Sequence, residues 1–471
     1  MVVPFRKTEP PQPRPDPMGG DGLPIPQRYW AMITVGLAVT MSTLDSSIAN
    51  VALPTIATDL GASPASSIWI VNAYQLAITI SLLPLASFGE IHEYRRVYRA
   101  GLALFTAASL ACALSHSLVG LTASRIVQGF GAAGILSVNT ALVRFIYPHH
   151  WLGRAIGINA VIVSISAALG PTIAAAILSV GSWEWLFAIN VPLGLAALLG
   201  ARALPVTPRR SHHFDFLSAI LSALTFGLTI TAIDGVGHHE WLVAIGLEAI
   251  LAAGFGALLV WRQLSQAWPL LPVDLLRIPI FAMSIATSVC SFIAQMMAYV
   301  ALPFFFQDSL GRSAVATGLL MTPWPLMTAV VAPISGRLAD RYSAGMLGGL
   351  GLAIFGVALA LVALLPAQPS VADIVWRLAL CGLGFGLFQS PNNRAIISAA
   401  PRYRSGGASG MLGTARLLGQ TTGAALVALI FGLSFHAGSQ LALAIAAAIA
   451  LLAALVSCLR LFGGLSASAE S

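Results

Sequence analysis

Asp45 lies in the stretch "STLDSSIANVALP" (Ser42–Pro54), inside an apolar run that starts near Trp30. If that run crosses a bilayer, a charged carboxylate at its middle costs about 2.5–3.5 kcal/mol. Removal from water favours the neutral acid, so such a group can take a proton from one side and give it up on the other. Its negative charge can also hold a cation. The chemistry expected of Asp45 is therefore exchange, a proton and a cationic compound competing for one anion. The structural alternative is a carboxylate that faces a watery vestibule or caps a helix break. Arg125, in "RIVQGFGAAG", is a second charged side chain within an apolar run. A fixed cation beside a buried acid favours the ionised form, so Arg125 could help Asp45 discharge; it could equally be a polar tie to backbone carbonyls.

The elements that must position these two residues follow from composition. Of 471 residues, 57% are hydrophobic and 9% charged, where a soluble protein would have about a quarter charged. Apolar runs of spanning length, about 20 residues each, fall near 29–50, 67–88, 98–116, 119–143, 155–180, 184–205, 214–235, 241–261, 280–306, 314–335, 344–366, 372–391, 406–432 and 436–460. At membrane depth no water satisfies open backbone groups, so all fourteen are expected to be helices. Residues 1–28, rich in Pro and Gly, are expected to form a disordered tail without a secretory leader, and 461–471 a second tail.

All but four of the 24 basic residues precede helix 1, sit in loops that follow even-numbered helices, or end helix 14; the exceptions are Arg125, Arg312, Arg377 and Arg416. The bias puts both termini in the cytoplasm. It also accounts for the net charge of +7 without a nucleic-acid surface. Cys112, Cys290, Cys381 and Cys458 lie singly in apolar spans and read as small hydrophobes. Lys7 is the sole lysine, so the lysine that a P-loop needs after its Gly-rich turn is absent. No loop carries a nucleophile–base pair, and His149-His150, His212-His213 and His238-His239 have no ligand partners at metal spacing. The expectation is a protein that is not an enzyme and holds no cofactor or metal, with a proton gradient as its energy source and a monomer as the default state.

The chain also repeats itself. Val51–Pro54 and Val300–Pro303 are the same tetrapeptide, "VALP", 249 residues apart. "ASFGEIHEYRR" from Ala86 matches "GRLADRY" from Gly336, which sets Glu90 against Asp340. "RIVQGFGAAG" matches "RLALCGLGFG", which makes Arg377 the twin of Arg125, and Gly157 and Gly170 match Gly410 and Gly423. The reading is an all-α membrane protein of two parallel six-helix halves, 29–205 and 280–460, with two further helices in the linker 206–279. Such repeats place a binding site between the halves and work by rocking. Opposite Asp45 the second half has Ala294, so the fold itself does not require an acid there.

"LDSSIANVALP", "WIVNAYQL" (Trp69–Leu76), "SRIVQGFGAA" and "ALGPTIAAA" followed by "WEWLFAINVPLG" (Trp183–Gly194) together resemble the major facilitator superfamily, and in it the fourteen-helix drug:proton antiporters. The likeness covers 29–460. Within that group, the stretch from Asn139 to Pro171 looks closest to the SmvA-type exporters of methyl viologen and other quaternary ammonium biocides. The resemblance implies a multidrug efflux transporter of a bacterial inner membrane, in which Asp45 and Arg125 couple to protons and Gly157, Gly170 and Pro171 form the antiporter motif of helix 5. It implies a conformational lock of Glu90, Arg95 and Arg96, repeated as Gly336, Asp340 and Arg341. The first lock departs from the family's G-x-L-A-D-R-x-G-R-R: Ala86 and Glu93 stand where that pattern has glycine, Glu90 where it has Asp, and Ile91 where it has Arg. An exporter of a natural product or metabolite, or a membrane receptor with a decayed site, are the competing readings.

For the substrate wall the candidates are Asp45 itself, Tyr74 and Gln75 in helix 2, Met296, Met297 and Tyr299 in helix 9 and Trp324 in helix 10. Aromatic faces attract organic cations and Met adapts to varied shapes, although each could instead be core or lipid-facing. Asp234 reads as a solvated helix end, and Glu248 as a polar contact or a second proton site.

Overall fold

The computed structural model describes residues 22–148, 151–209, 214–237, 241–266, 271–401, 404–433 and 438–467. The chain is all-helical over them: α1 (Ile25–Asp59), α2 (Pro64–His92), α3 (Tyr94–Ala113), α4 (Leu118–Ile146), α5 (Leu152–Val180), α6 (Glu184–Ala203), α7 (Phe216–Gly237), α8 (Leu242–Ser265), α9 (Pro279–Ser309), α10 (Ala314–Leu338), α11 (Ala344–Ala363), α12 (Val371–Ala399), α13 (Ser405–Leu433) and α14 (Gly438–Ala467). Thirteen are long and apolar enough to cross a membrane; α3, with Arg95, Arg96 and Arg99 in its first turns, is the fourteenth. The helices are longer than expected at both ends of the chain. Ile25–Arg28, assigned above to the tail, open α1, and 461–467 continue α14; most of the two tails, with the three His pairs, lies outside the described residues.

Serine caps start the helices in matched pairs. Ser63 accepts from Ser66 N and Ser313 from Ala316 N, while Ser117 accepts from Gly120 N and Ser370 from Asp373 N. Each cap satisfies one of the orphan donors of a first turn. Close packing repeats as well. A Cβ on Gly129 would meet the Tyr74 carbonyl, and one on Gly382 the Trp324 carbonyl; Gly131 faces Gly101 and Phe105 as Gly384 faces Gly351 and Phe355. Small residues let these helices approach closely, as membrane packing requires.

These contacts correct one register. Tyr74/Trp324 and Phe105/Phe355 are 250 apart, but Gly129/Gly382 and Gly131/Gly384 are 253 apart. The packing counterpart of Arg125 is thus Leu378, not Arg377. One residue turns a helix by about 100°, which carries Arg377 off the core face to pair with Asp373 at 3.0 Å and to donate to the Leu361 carbonyl.

α7 packs on α8, α13 and α2, outside the two bundles. Asp215, just before α7, accepts from Arg262 Nη2 (2.9 Å) and Gln266 Nε2 (2.5 Å) of the α8 end and from Ser218 Oγ (2.5 Å). Burial works to raise this carboxyl, but the donors outweigh it and hold the group at about 2. Asp234 is not a solvated helix end: it is half-buried and accepts from Trp69 Nε1 at 2.9 Å, fastening α7 to α2. Glu248 is half-buried in α8, with Oε2 lacking a hydrogen bond.

α1 begins and α14 ends on one face, called here the terminal face. Across the seam between α1–α6 and α9–α14, Thr55 donates to Gln307 Oε1 (3.3 Å) and Gln307 to the Val51 carbonyl (3.2 Å). Thr172 meets Thr322 at 2.8 Å, and Thr79 meets Thr421 at 3.0 Å. These bonds lie between the far face and mid-depth, so the seam is tied shut on the far side.

Candidate functional site: a buried ion pair in one half

α1 is buried along most of its length, and Asp45 lies inside the first bundle with 2% of its surface exposed. Oδ1 accepts from Gln128 Nε2 and from Asn190 Nδ2, each at 2.9 Å, and Oδ2 is ion-paired with Arg125 Nη1. Arg125 is wholly buried; its Nε donates to the Ile70 carbonyl at 3.0 Å and its Nη1 to Gln128 Oε1 at 2.6 Å. The guanidinium lies 3.9 Å from the centre of the Tyr74 ring, and Phe187 closes the other side at 5.6 Å. Gln128 also donates to Ser109 Oγ at 2.9 Å, and Tyr74 Oη to the Ser42 carbonyl at 3.2 Å. Five helices therefore meet at one carboxylate: α1, α2, α3, α4 and α6. Sequence reasoning named Asp45, Arg125 and Tyr74 but gave no role to Asn190 or Ser109, whose only signal was a polar side chain in an apolar run.

At the matching positions the second bundle carries no charge. Ala294, Leu378 and Cys381 occupy the positions of Asp45, Arg125 and Gln128, and all three are fully buried in its apolar core. Taking two charges out of water costs several kcal/mol per ion before their attraction returns it. A fold that manages without the pair in one half keeps it in the other.

Gly170 joins this site to the seam. Its Cα presses on Ser47, two residues from Asp45, while the Pro171 carbonyl fills the space where Gly318 of α10 would carry a Cβ. Gly157 is in α5, and its surroundings lie outside the described residues.

The wall candidates divide. Gln75 reaches the seam, near Ser46 Oγ (3.4 Å) and Gln420 Oε1 (3.5 Å), and Tyr299 is half-buried against Trp324. Tyr74 lies under Arg125, and Met296 and Met297 are core residues of the second half. Trp324 is 1% exposed, enclosed by Tyr299 (4.8 Å between rings) and Phe355 (5.4 Å). As the packing counterpart of Tyr74 it is a core side chain, not a wall.

The terminal-face locks also differ from expectation. In the first, Arg96 pairs with Glu93 at 3.3 Å, and Arg209 approaches the same carboxylate at 3.8 Å; the expected acid was Glu90, and no ion pair is formed by Arg95 among the described residues. Glu93 stands at φ +90°, the backbone a glycine would take without strain. In the second, Asp340 pairs with Arg394 of α12 rather than with Arg341, and Gly336 packs near Ser390. Arg460, read above only as a topological charge, is buried. It donates to Ser284 Oγ (2.9 Å), Asn392 Oδ1 (2.7 Å) and Thr287 Oγ1 (2.6 Å), tying α14 to α9 and α12. No group of three or more His, Cys, Asp or Glu is placed to hold a metal among the described residues.

Two interlocked six-helix bundles, two inserted helices and a seam closed on one side define a multi-pass membrane transporter. The chain belongs to the Major Facilitator Superfamily, which it matches over residues 35–424 and 285–468. It is 58% identical over 444 residues to the uncharacterized transporter YebQ of Escherichia coli, covering 94% of this chain and 97% of that one. It is 30% identical to the multidrug resistance protein Stp of Mycobacterium tuberculosis, over 84% of this chain and 74% of that protein. Among solved structures, a POT family transporter in complex with a thioalcohol-conjugated peptide superimposes with a TM-score of 0.71 over 92% of this chain and 95% of its own, at 15% identity.

Proposed function

We propose that this transporter is a proton-driven exporter of lipophilic small molecules, working by alternating access in a bacterial cytoplasmic membrane with the terminal face in the cytoplasm. A single chain suffices, and the gradient is its energy source. The observation that carries the reading is the asymmetry of the halves: an enclosed Asp45–Arg125 pair where the sister bundle has Ala294 and Leu378. The resistance protein Stp among its relatives supports export as the direction.

Protonation of Asp45 removes the charge that holds Arg125. Arg125 has a second set of acceptors already in reach, the Ile70 carbonyl, Gln128 Oε1 and the Tyr74 face. The pair is thus a two-state element, and the tight α1–α5–α10 contact at Gly170 and Gly318 carries its state to the seam. The expected competition between proton and cation at Asp45 finds no support here, because both carboxylate oxygens are occupied by protein donors. The finer placement among quaternary ammonium exporters rests on the sequence stretch between Asn139 and Pro171. We assign Asp45 the proton alone. The test is efflux of lipophilic dyes from proteoliposomes under an imposed pH gradient, wild type against Asp45→Asn; gradient-driven efflux that survives the substitution refutes the coupling role.

A further inference from the structure

The seam holds a charged side chain that the coupling site does not use. Arg416 lies near the middle of α13 and is nevertheless exposed. The packing of its neighbours says where it points. On one flank Gly419 and Gly423 press on α9 at Phe292 and Ile293. On the other, Gln420 faces Gln75 of α2, and Thr421 bonds Thr79. At about 100° per residue, Arg416 projects between these two covered flanks, into the wedge bounded by α2 of the first half and α9 of the second. Its guanidinium carbon is 5.9 Å from the centre of the Phe292 ring. Tyr299, half-buried in the same helix as Phe292 and two turns on, packs on Trp324 at 4.8 Å between ring centres. Among the described residues, no carboxylate forms an ion pair with Arg416. Asp45, the acid of the first core, is committed to Arg125, Gln128 and Asn190.

A cation in a low-dielectric space without a partner is costly and attracts an anion more strongly there than in water. It repels a second cation by the same measure. The wedge also offers the half-buried ring of Tyr299 and the half-buried amide of Gln420, backed by the buried Phe292 and Gln75. Arg416 lies on the terminal-face side of the Thr79–Thr421 bond, where apolar contacts such as Gly413 to Leu82 cross the seam.

We propose that Arg416 anchors the cargo and that the cargo is a monoanionic amphipath, a carboxylate or sulfonate carried on an aromatic or aliphatic body, bound between α2, α9 and α13. This rests on the exporter reading and narrows it. The guanidinium takes the anionic head as a charge-assisted hydrogen-bonding fork, Tyr299 covers the body, and Gln420 supplies an adjustable polar contact, with Phe292 and Gln75 buried behind them.

The experiment uses the purified full-length chain in detergent, its melting temperature titrated with three isosteres: 2-naphthoate, neutral 2-naphthamide and 2-naphthyltrimethylammonium. In the wild type, naphthoate binds best and the cation worst. Arg416→Gln weakens naphthoate by about 10- to 100-fold, the worth of one charged hydrogen-bonded contact, and leaves the amide within about threefold, while Arg416→Lys restores most of the affinity. Naphthoate binding no better than the amide in the wild type, absence of any naphthoate shift, or indifference to Arg416→Gln overturns the proposal. If Arg416→Gln does not fold, the wild-type isostere order and Arg416→Lys decide it. The exporter reading fails separately. Gradient-driven ethidium efflux that depends on Asp45, together with naphthoate binding indifferent to Arg416, sinks only the anion; efflux that ignores Asp45→Asn sinks the coupling scheme whatever naphthoate does.

Discussion

The sister bundle suggests a perturbation that separates the energetics of the Asp45–Arg125 pair from its use. Asp45→Ala alone leaves Arg125 buried and charged, with the Ile70 carbonyl, Gln128 Oε1 and the Tyr74 ring as its remaining partners. Arg125→Leu alone leaves an anion held by the Gln128 and Asn190 amides. Removing one member of a buried pair costs about 3–5 kcal/mol, so either change is expected to destabilise severely. Together they copy the second core at Ala294 and Leu378. No charge is then left uncompensated, and the chief residual cost is the Asn190 amide without an acceptor, about 1–3 kcal/mol. Gln128 keeps Ser109. If the single changes added, the double change would cost about 6–10 kcal/mol; the structure predicts about 1–3 instead, a coupling of at least about 3 kcal/mol. Reversible unfolding in mixed micelles measures all four corners of this cycle, and gradient-driven efflux is measured on the same preparations. The double variant should fold and be uncoupled. Singles that each cost under about 1 kcal/mol, or costs that simply add, would refute the view that the pair is an enclosed, mutually dependent unit.

Three further outcomes follow from the geometry. Gly170→Ala should cut transport strongly, because the added methyl meets Ser47, and Ser47→Gly in the same chain should recover part of it; efflux assays on the two variants check this. Glu93→Gly should relieve a backbone strain of about 1–3 kcal/mol at φ +90° while losing the Arg96 and Arg209 contacts; a raised melting temperature with altered transport is expected, and a lowered one would show that the ion pairs outweigh the strain. Asp215 is held at about 2 against an ordinary 3.8, so its stabilising contribution is complete above about 3.8 and is lost as pH falls through about 2. The stability gap between wild type and Asp215→Asn should accordingly be flat from pH 8 to pH 5 and close only under strong acid, as read by thermal unfolding.

Much of the architecture was legible because the bilayer leaves few choices. Long apolar runs must be helices, and all fourteen expected spans are helical. What was not legible depended on angles and on distant partners. Aligning "RIVQGFG" with "RLALCGLGFG" on their arginines gives an offset of 252, whereas packing requires 253; that one-residue step turned Arg377 from a core twin of Arg125 into a partner of Asp373. Trp324 was misread as wall because mid-span position does not say which face is covered, and Tyr299, Phe355 and the Gly382 contact cover it. Arg460 looked like a cytoplasmic charge because its acceptors, Ser284, Thr287 and Asn392, come from helices 68 or more residues away. Beside the expected lock acid Glu90, Glu93 also pairs with Arg96, at the very position where the chain departs from its family's glycine.

The coupling pair and the seam are connected by adjacent residues of one helix. Tyr74 lies against the Arg125 guanidinium, and its carbonyl against Gly129, so α2 cannot hold its position at this level if Arg125 moves away from the ring. The next residue, Gln75, faces the other way, toward Ser46 of α1 and Gln420 of α13. On the proposed coupling, a shift of Arg125 on protonation of Asp45 acts through Tyr74 on the contacts that tie α2 to α13, one helical turn from Thr79–Thr421. Allosteric coupling needs such an element with two arrangements that both sites bias. Here the acid and its arginine bias one side of α2, and whatever occupies the seam beside Gln75 and Gln420 biases the other. Because the second bundle replaces the charged pair with alanine and leucine, it has no corresponding lever on Trp324. On the proposed coupling the energy input is one-sided, with the first bundle switching and the second responding through α13.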